Sequence, residues 1–168
     1  LTSKAKLITE NPMQDLDSPH LKKSLPRYLN LEESEELLDS VDGVNQARDY
    51  CILTLFLNCG LRISELIGLN ITDVRGNQLR VLGKGNKERL VYFDARTKIH
   101  LQNYVESRRD DNPALFVSLR TPYTRFQIGG VETRLRELGR KLHIPKVHPH
   151  KFRRTMATTA IDKGMPIE

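Results

Sequence analysis

The hydrophobic positions of this chain follow helical spacing over most of its length and strand spacing in one short stretch. Apolar residues recur at intervals of three and four in six stretches, which are 31–38, 45–59, 62–69, 99–105, 131–142 and 150–160. Residues 74–93 instead favour three short strands joined by two tight turns. The pattern predicts a mainly α-helical fold with a small three-stranded antiparallel sheet, which is an α+β class.

The first predicted helix has a clear start. Asn30 suits the N-cap position, and Glu33 stands three residues later, as a capping box requires. We expect Leu31, Leu37 and Leu38 to form the buried side of this helix.

The second predicted helix is apolar over a wide face. Ala47, Cys51, Leu55 and Cys59 follow each other at intervals of four, and Gly60 is expected to end the helix. The two cysteines would lie roughly 12 Å apart along the helix axis, which is too far for a disulfide within one helix. We therefore expect two buried free thiols, as in a cytoplasmic protein.

Length and composition set the domain organisation. The chain has 168 residues, of which 38% are hydrophobic, and its net charge is +6. Residues 1–27 are polar and interrupted by three prolines, so we predict an interdomain linker there and a single domain over 28–168. The absence of an initial Met leads us to expect a fragment of a longer protein. The apolar run 51–57 is too short to span a membrane, and no signal peptide is visible.

The charges are unevenly distributed along the chain. Residues 30–49 contain seven acids and one base, whereas residues 134–154 contain eight Lys or Arg and one acid. A further basic block lies at 80–98, with six bases and two acids. Two basic blocks suit a polyanion such as nucleic acid, and charge alone leaves a merely solvated surface as an equal alternative.

Three short constellations carry candidate chemistry. In the segment 60–65, Arg62 lies one helical turn before Glu65, so the pair forms either a local ion pair or a positioned phosphate ligand. The segment Gly83-Lys-Gly-Asn-Lys-Glu-Arg89 lies between two strands, which is the wrong context for a nucleotide-binding P-loop. His150 and Arg153 share one face at the start of the last helix, where an anion is favoured.

The three motifs together resemble the catalytic domain of tyrosine recombinases, and most closely that of Xer-like recombinases and related integrases. In chain order they are Gly-Leu-Arg-x-Ser-Glu-Leu, Gly-Lys-Gly-Asn-Lys-Glu-Arg and His-x-x-Arg. The resemblance begins at about Asn11 and extends to Glu168. It implies a catalytic domain that cleaves and rejoins DNA through a 3′-phosphotyrosine intermediate, without a metal or other cofactor. The implied partners are double-stranded DNA and further recombinase subunits.

The resemblance also implies roles for single residues. Arg62 and Arg153 would bind the non-bridging phosphate oxygens, Lys84 would protonate the leaving 5′ oxygen, and His150 would assist proton movement. Glu65 would orient Arg62. Further contacts to the DNA backbone are expected from four basic residues, which are Lys87, Arg89, Lys151 and Arg154.

The family's nucleophilic tyrosine lies well beyond its His-x-x-Arg motif. The five tyrosines of this chain all precede His150, and none stands at the family's position. We therefore expect the 168-residue chain itself to be inactive in cleavage. Two other functions remain open from the sequence: a non-catalytic DNA-binding module, and a DNA-relaxing enzyme similar to type IB topoisomerases.

Overall fold

The computed structural model describes residues 28–162 and Gly164, apart from the side chain of Lys84. The predicted linker 1–27 lies outside the described residues, so the domain boundary stays a prediction. In the described part of the chain no helix is long and apolar enough to cross a membrane.

The described residues form the mainly helical fold with a small sheet that the pattern predicts. The helices are α1 Leu31–Asp39, α2 Gln46–Cys59, α3 Ile63–Gly68, α4 Ala95–Ser107, α5 Ile128–Lys141 and α6 Pro149–Asp162. The strands are β1 Val74–Arg75, β2 Gln78–Leu82 and β3 Glu88–Tyr92. They pair antiparallel in the order β1-β2-β3, with Arg80 opposite Leu90 at the centre of the longer pair.

Helix α1 begins as predicted. The side chain of Asn30 accepts a hydrogen bond from the Glu33 N–H at 2.7 Å, and the Glu33 carboxylate accepts one from the Asn30 N–H at 3.0 Å. Leu37 is fully buried, but Leu31 is 76% exposed. The expectation for Leu31 was wrong because Leu31 is the first residue of α1, and the buried positions of this helix are Ser34 and Leu37.

Helix α2 is the central element of the core. It packs against α4 and α6, and the ring of Phe56 stacks on that of Phe152 in α6 at 5.6 Å. Cys51 and Cys59 are free and buried, and burial raises the pKa of both thiols to about 12. Ala47 is exposed, contrary to the spacing argument, because the buried positions in the first turn of α2 are Arg48 and Asp49, which turns Ala47 towards solvent.

The sheet covers one side of the α3 region. Leu79 and Val81 of β2 point into the core and are fully buried, whereas Arg80 points to solvent. In β3 the inner positions are Arg89 and Val91. The alternation of the strand therefore turns Arg89 towards the body of the domain.

Candidate active site

The turn between α2 and α3 forms the floor of the candidate site. Gly60 ends α2 with φ +56°, and its carbonyl accepts a hydrogen bond from the guanidinium of Arg153. A Cβ on Gly60 would overlap the side chain of Met156 in α6. The left-handed backbone favours glycine at this turn, and the terminal methyl of Met156 would have to move aside for any larger residue.

Arg62 stands at the start of α3, two residues after Gly60. Its side chain is 53% exposed, and its Nη1 lies 2.9 Å from Oε1 of Glu65. The backbone N–H of Arg62 donates to Oε2 of the same carboxylate at 2.8 Å. Glu65 therefore caps the first turn of α3 and holds the guanidinium of Arg62, as the sequence predicts.

Glu65 is the buried acid of the site, with a side chain that is only 3% exposed. Burial alone would raise its pKa, but the hydrogen bonds from Arg89 and Arg62 outweigh burial and lower the pKa to about 2. The carboxylate is thus ionised at any pH at which the protein would act. It supplies a fixed negative charge around which arginines gather.

Arg153 reaches the same turn from α6. Burial and the positive charge of Arg62 lower its pKa below the usual value, while Glu65 acts in the opposite sense. Among the described residues, the Nε and Nη2 groups of Arg62 and Arg153 have no hydrogen-bond partner in the protein. The structure therefore brings the two predicted arginines together and leaves donors for a ligand.

His150 lies one turn before Arg153 on α6 and is exposed. Its ring is 6.2 Å from that of His148. Burial, His150 and nearby basic residues lower the pKa of His148 below 6.5. The described residues contain no group of three or more His, Cys, Asp or Glu that could hold a metal ion.

The turn between β2 and β3 begins near the carboxylate of Glu65. A Cβ built on Gly83 would lie 3.5 Å from Nη1 of Arg89 and 3.9 Å from Oε1 of Glu65. The Gly83 N–H donates to the Lys87 carbonyl at 2.8 Å and closes the turn. Lys84 therefore follows a residue that lies near the site, and the contact of the Lys84 side chain with phosphate stays a prediction.

The four expected backbone contacts differ in their placement. Lys87 and Arg154 are exposed, as contacts to DNA would need. Lys151 is instead buried at 3% exposure, and its ammonium donates to the Pro145 carbonyl at 3.1 Å. Lys151 is therefore removed from the candidate DNA contacts, because α6 turns this position into the core.

Arg89 also has a different place from the one expected. Its Nη1 lies 2.8 Å from Oε1 of Glu65 and its Nη2 lies 2.9 Å from Oε2, so the guanidinium binds both oxygens of the carboxylate. The sequence motifs pair Glu65 with Arg62 alone. The alternation of β3 could have predicted this placement, because it puts Arg89 on the same inward face as Val91.

None of the five tyrosines lies among these contacts. Tyr104 is buried, with its hydroxyl accepting from the Val117 N–H at 3.3 Å, and Tyr50 accepts from Arg96 at 3.0 Å. Tyr92 is the last residue of β3 and lies on the face opposite to Arg89. Tyr28 and Tyr123 are exposed outside the helices and strands.

Three arginines around one buried carboxylate leave an excess of positive charge at the junction of α2, α3, α6 and the β2–β3 turn. Fold and site together define a mainly helical domain with a small sheet and a cationic site beside it. The chain belongs to the Phage integrase family, which matches residues 27–168. This confirms the family that the three motifs indicated.

Two similar curated proteins are tyrosine recombinases. The chain is 42% identical over 164 residues to the tyrosine recombinase XerC of Caldanaerobacter subterraneus subsp. tengcongensis, covering 94% of this chain and 46% of that protein. It is 33% identical to XerC of Chromohalobacter salexigens, covering 96% of this chain and 56% of that protein. The chain thus spans about half the length of these relatives.

Solved structures share the fold. The XerA recombinase superposes with a TM-score of 0.74 at 32% identity, over 84% of this chain and 53% of that one. An integrase of the Tn1549 transposon, solved with circular intermediate DNA, gives a TM-score of 0.76 at 20% identity, over 97% of this chain and 62% of that one. These likenesses confirm the α+β catalytic-domain fold that the sequence predicts.

Proposed function

We propose that this chain is the phosphate-activating part of a site-specific recombinase that cleaves and rejoins double-stranded DNA through a 3′-phosphotyrosine. The observation that carries the proposal is that Arg62 and Arg153 are both held at the turn between α2 and α3. Arg62 is held by Glu65 and Arg153 by the Gly60 carbonyl, and both guanidinium groups keep free donors among the described residues. A phosphodiester has two non-bridging oxygens that suit such a pair of donors.

The proposed reaction is a reversible transfer of a phosphoryl group. The hydroxyl oxygen of a tyrosine attacks phosphorus, so that a P–O(Tyr) bond forms while the bond from phosphorus to the 5′ oxygen breaks. Arg62 and Arg153 stabilise the negative charge that develops on the non-bridging oxygens. Attack by a 5′-hydroxyl on the phosphotyrosine later reverses the exchange, so no oxidant, reductant or nucleotide is consumed.

Two protons must move in this reaction. The tyrosine loses its proton towards His150, and the leaving 5′ oxygen gains a proton from Lys84. The exposed ring of His150 is accessible to a bound phosphate, and the turn that carries Lys84 begins beside Glu65. The tyrosine itself would come from outside the matched motifs, as it does in the family.

The proposed partners are double-stranded DNA and further recombinase subunits of the same or a related type. The Tn1549 integrase and the XerH recombinase were both solved with DNA, which supports the first partner. The exposed Lys87 and Arg154 flank the arginine site and suit contacts to neighbouring phosphates.

The test captures the covalent intermediate. We define the extended chain as this chain continued with the C-terminal segment of the Caldanaerobacter relative. Both forms are incubated with a pool of nicked duplexes of randomised sequence, in which the released fragment diffuses away and traps the adduct. Denaturing gels are expected to show a protein–DNA band with the extended chain and none with the 168 residues alone.

Other outcomes would contradict the proposal. DNA binding without any adduct from the extended chain would favour a non-catalytic binding module. An adduct that leads only to relaxation of supercoiled plasmid, without strand exchange, would favour the topoisomerase-like function. An adduct from the 168-residue chain that disappears on changing one of its own tyrosines to Phe would contradict the proposed origin of the nucleophile.

A further inference from the structure

We infer that Arg89 is a positioning residue, which acts through Glu65 to direct Arg62 at the phosphate and to attach the β2–β3 turn to the arginine site. The inference rests on the proposed function for its effect on cleavage. Its structural basis is a single buried carboxylate that is shared between two arginines from different elements.

The hydrogen bonds of Glu65 leave little freedom. Oε1 accepts from Nη1 of Arg62 at 2.9 Å and from Nη1 of Arg89 at 2.8 Å. Oε2 accepts from the backbone N–H of Arg62 at 2.8 Å and from Nη2 of Arg89 at 2.9 Å. Because Arg89 holds both oxygens, Arg62 has access to one oxygen for its side chain.

This division explains why Arg62 keeps donors for a ligand. A lone arginine beside a buried carboxylate favours a two-pronged ion pair, which uses its donors inside the protein. Without Arg89, the guanidinium of Arg62 would turn towards Glu65 to satisfy the carboxylate. Arg62 would then be withdrawn from the phosphate even though it is chemically unchanged.

The same ion pair supports the turn that bears Lys84. Gly83 lies near this ion pair, since a Cβ at Gly83 would be 3.5 Å from Nη1 of Arg89 and 3.9 Å from Oε1 of Glu65. Arg89 follows Lys87 by two residues on β3, and the Lys87 carbonyl closes the turn by accepting from Gly83. Arg89 therefore joins the proton donor's turn to the carboxylate that orients Arg62, and its loss is expected to disturb both.

The test compares Arg89→Gln with Arg80→Gln in the extended chain. Arg80 is a matched control, since it lies on the neighbouring strand and pairs with Asp73 at 2.9 Å and Glu88 at 3.3 Å, away from Glu65. Arg89→Gln is expected to slow single-turnover cleavage by about tenfold or more, while DNA affinity changes by less than about twofold. Arg80→Gln should leave both values near those of the unmodified chain.

A pH profile separates positioning from general damage to the fold. The charged groups that face Glu65 are Arg62 at the N-cap of α3, Arg89 on β3 and Arg153 on α6. In the unmodified protein Glu65 is ionised throughout the range from pH 5 to 8. In Arg89→Gln its pKa is expected to rise, so cleavage should fall towards pH 5 more steeply than in Arg80→Gln. Arg89→Lys should restore part of the rate.

A second measurement does not depend on cleavage. Carbon NMR of the Glu65 carboxyl in the 168-residue chain should show a titration midpoint that rises in Arg89→Gln and stays low in Arg80→Gln. The inference would be overturned if the extended chain cleaves DNA and the two variants have equal rates, equal pH profiles and equal Glu65 midpoints. The proposed function would remain intact in that case. Absence of cleavage in the unmodified extended chain would instead overturn the proposed function, and the NMR result would then decide the structural part alone.

Discussion

At the scale of single residues, the site depends on the burial of one acid. Glu65 has lost most of its hydration, which by itself disfavours the charged form. Four donated hydrogen bonds reverse that effect and lower its pKa to about 2. A neutral side chain could not hold several arginines against their mutual repulsion, so the acid is needed for the cationic site to form.

Stability should therefore depend on pH through Glu65. Its pKa is about 2 in the folded chain and 4.5 in the reference state, so the stabilisation is complete above pH 4.5 and is lost as the pH falls through 2. The difference corresponds to about 3 kcal/mol of unfolding free energy. Urea unfolding between pH 7 and pH 2.5 should show a smaller loss of stability in Glu65→Gln than in the unmodified chain, because the part due to Glu65 is missing while Asp42, Asp94 and Asp110 still contribute.

Glu88→Gln is the control for that experiment. The Glu88 side chain is 55% exposed and pairs only at 3.3 Å with Arg80, so its removal should leave the acid dependence as it is. An acid dependence that survives unchanged in Glu65→Gln would show that Glu65 is not the group responsible.

Gly60 should be sensitive to substitution because of its left-handed backbone. Gly60→Ala places a methyl group at a φ of +56° and next to the terminal methyl of Met156, which can move aside, so we expect a loss of about 1 kcal/mol in unfolding free energy. Gly76 is a matched control with φ +61°, where an added Cβ would have no atom within 4 Å. Gly76→Ala should also cost about 1 kcal/mol, and a much larger loss for Gly60→Ala in urea unfolding would contradict the view that backbone strain sets the cost.

At the scale of elements, the sequence predicted most boundaries because local rules decide them. The capping box at Asn30, the glycine after α2 and the period change at β2 each act within a few residues. The errors concern long-range packing. Lys151 is buried because of the side that α6 turns towards the core. Arg89 pairs with Glu65 because of the face that β3 turns towards α3.

The same distinction holds for the candidate site. The approach of Arg153 to the Gly60 carbonyl joins residues 93 positions apart, which no local pattern shows. The resemblance of motifs groups Arg62, Lys84, His150 and Arg153 without giving their positions. Neither the local sequence pattern nor the resemblance of motifs predicts that Arg89 binds Glu65, since a motif names residues without their contacts.

The β2–β3 turn should act through a proton that Lys84 donates. Lys84→Ala in the extended chain is expected to reduce cleavage of an ordinary phosphodiester by about a hundredfold. A substrate with sulfur in place of the scissile 5′ oxygen has a leaving group that needs no proton. Single-turnover cleavage of that substrate should be nearly equal for Lys84→Ala and the unmodified chain, and an equal defect on both substrates would exclude the role of proton donor.

At the scale of the whole molecule, only part of the basic block at 134–154 is available for the proposed contacts with DNA. Arg153 belongs to the site and Arg154 beside it is exposed, whereas Lys141 pairs with Asp42 and Lys151 is bound to the Pro145 carbonyl inside the fold. Binding through such a surface releases counterions from DNA, so the affinity must fall as salt rises.

The salt dependence should distinguish Arg154 from Lys151. Arg154→Gln is expected to reduce the slope of log affinity against log salt by about 1, because one phosphate contact is lost. Lys151→Met should leave the slope unchanged, since its ammonium is bound to Pro145 inside the fold. Fluorescence anisotropy with a labelled duplex measures both slopes, and a reduced slope for Lys151→Met would contradict its buried placement.

The central claim is that Arg62 and Arg153 act on one phosphate. The most direct measurement is a double-mutant cycle on the rate of adduct formation by the extended chain, with Arg62→Ala, Arg153→Ala and both together. Residues that act as a unit on one transition state are strongly non-additive. We predict that the double variant is little slower than the slower single variant. Rates that multiply independently, or a single variant that cleaves at the unmodified rate, would contradict the shared phosphate site.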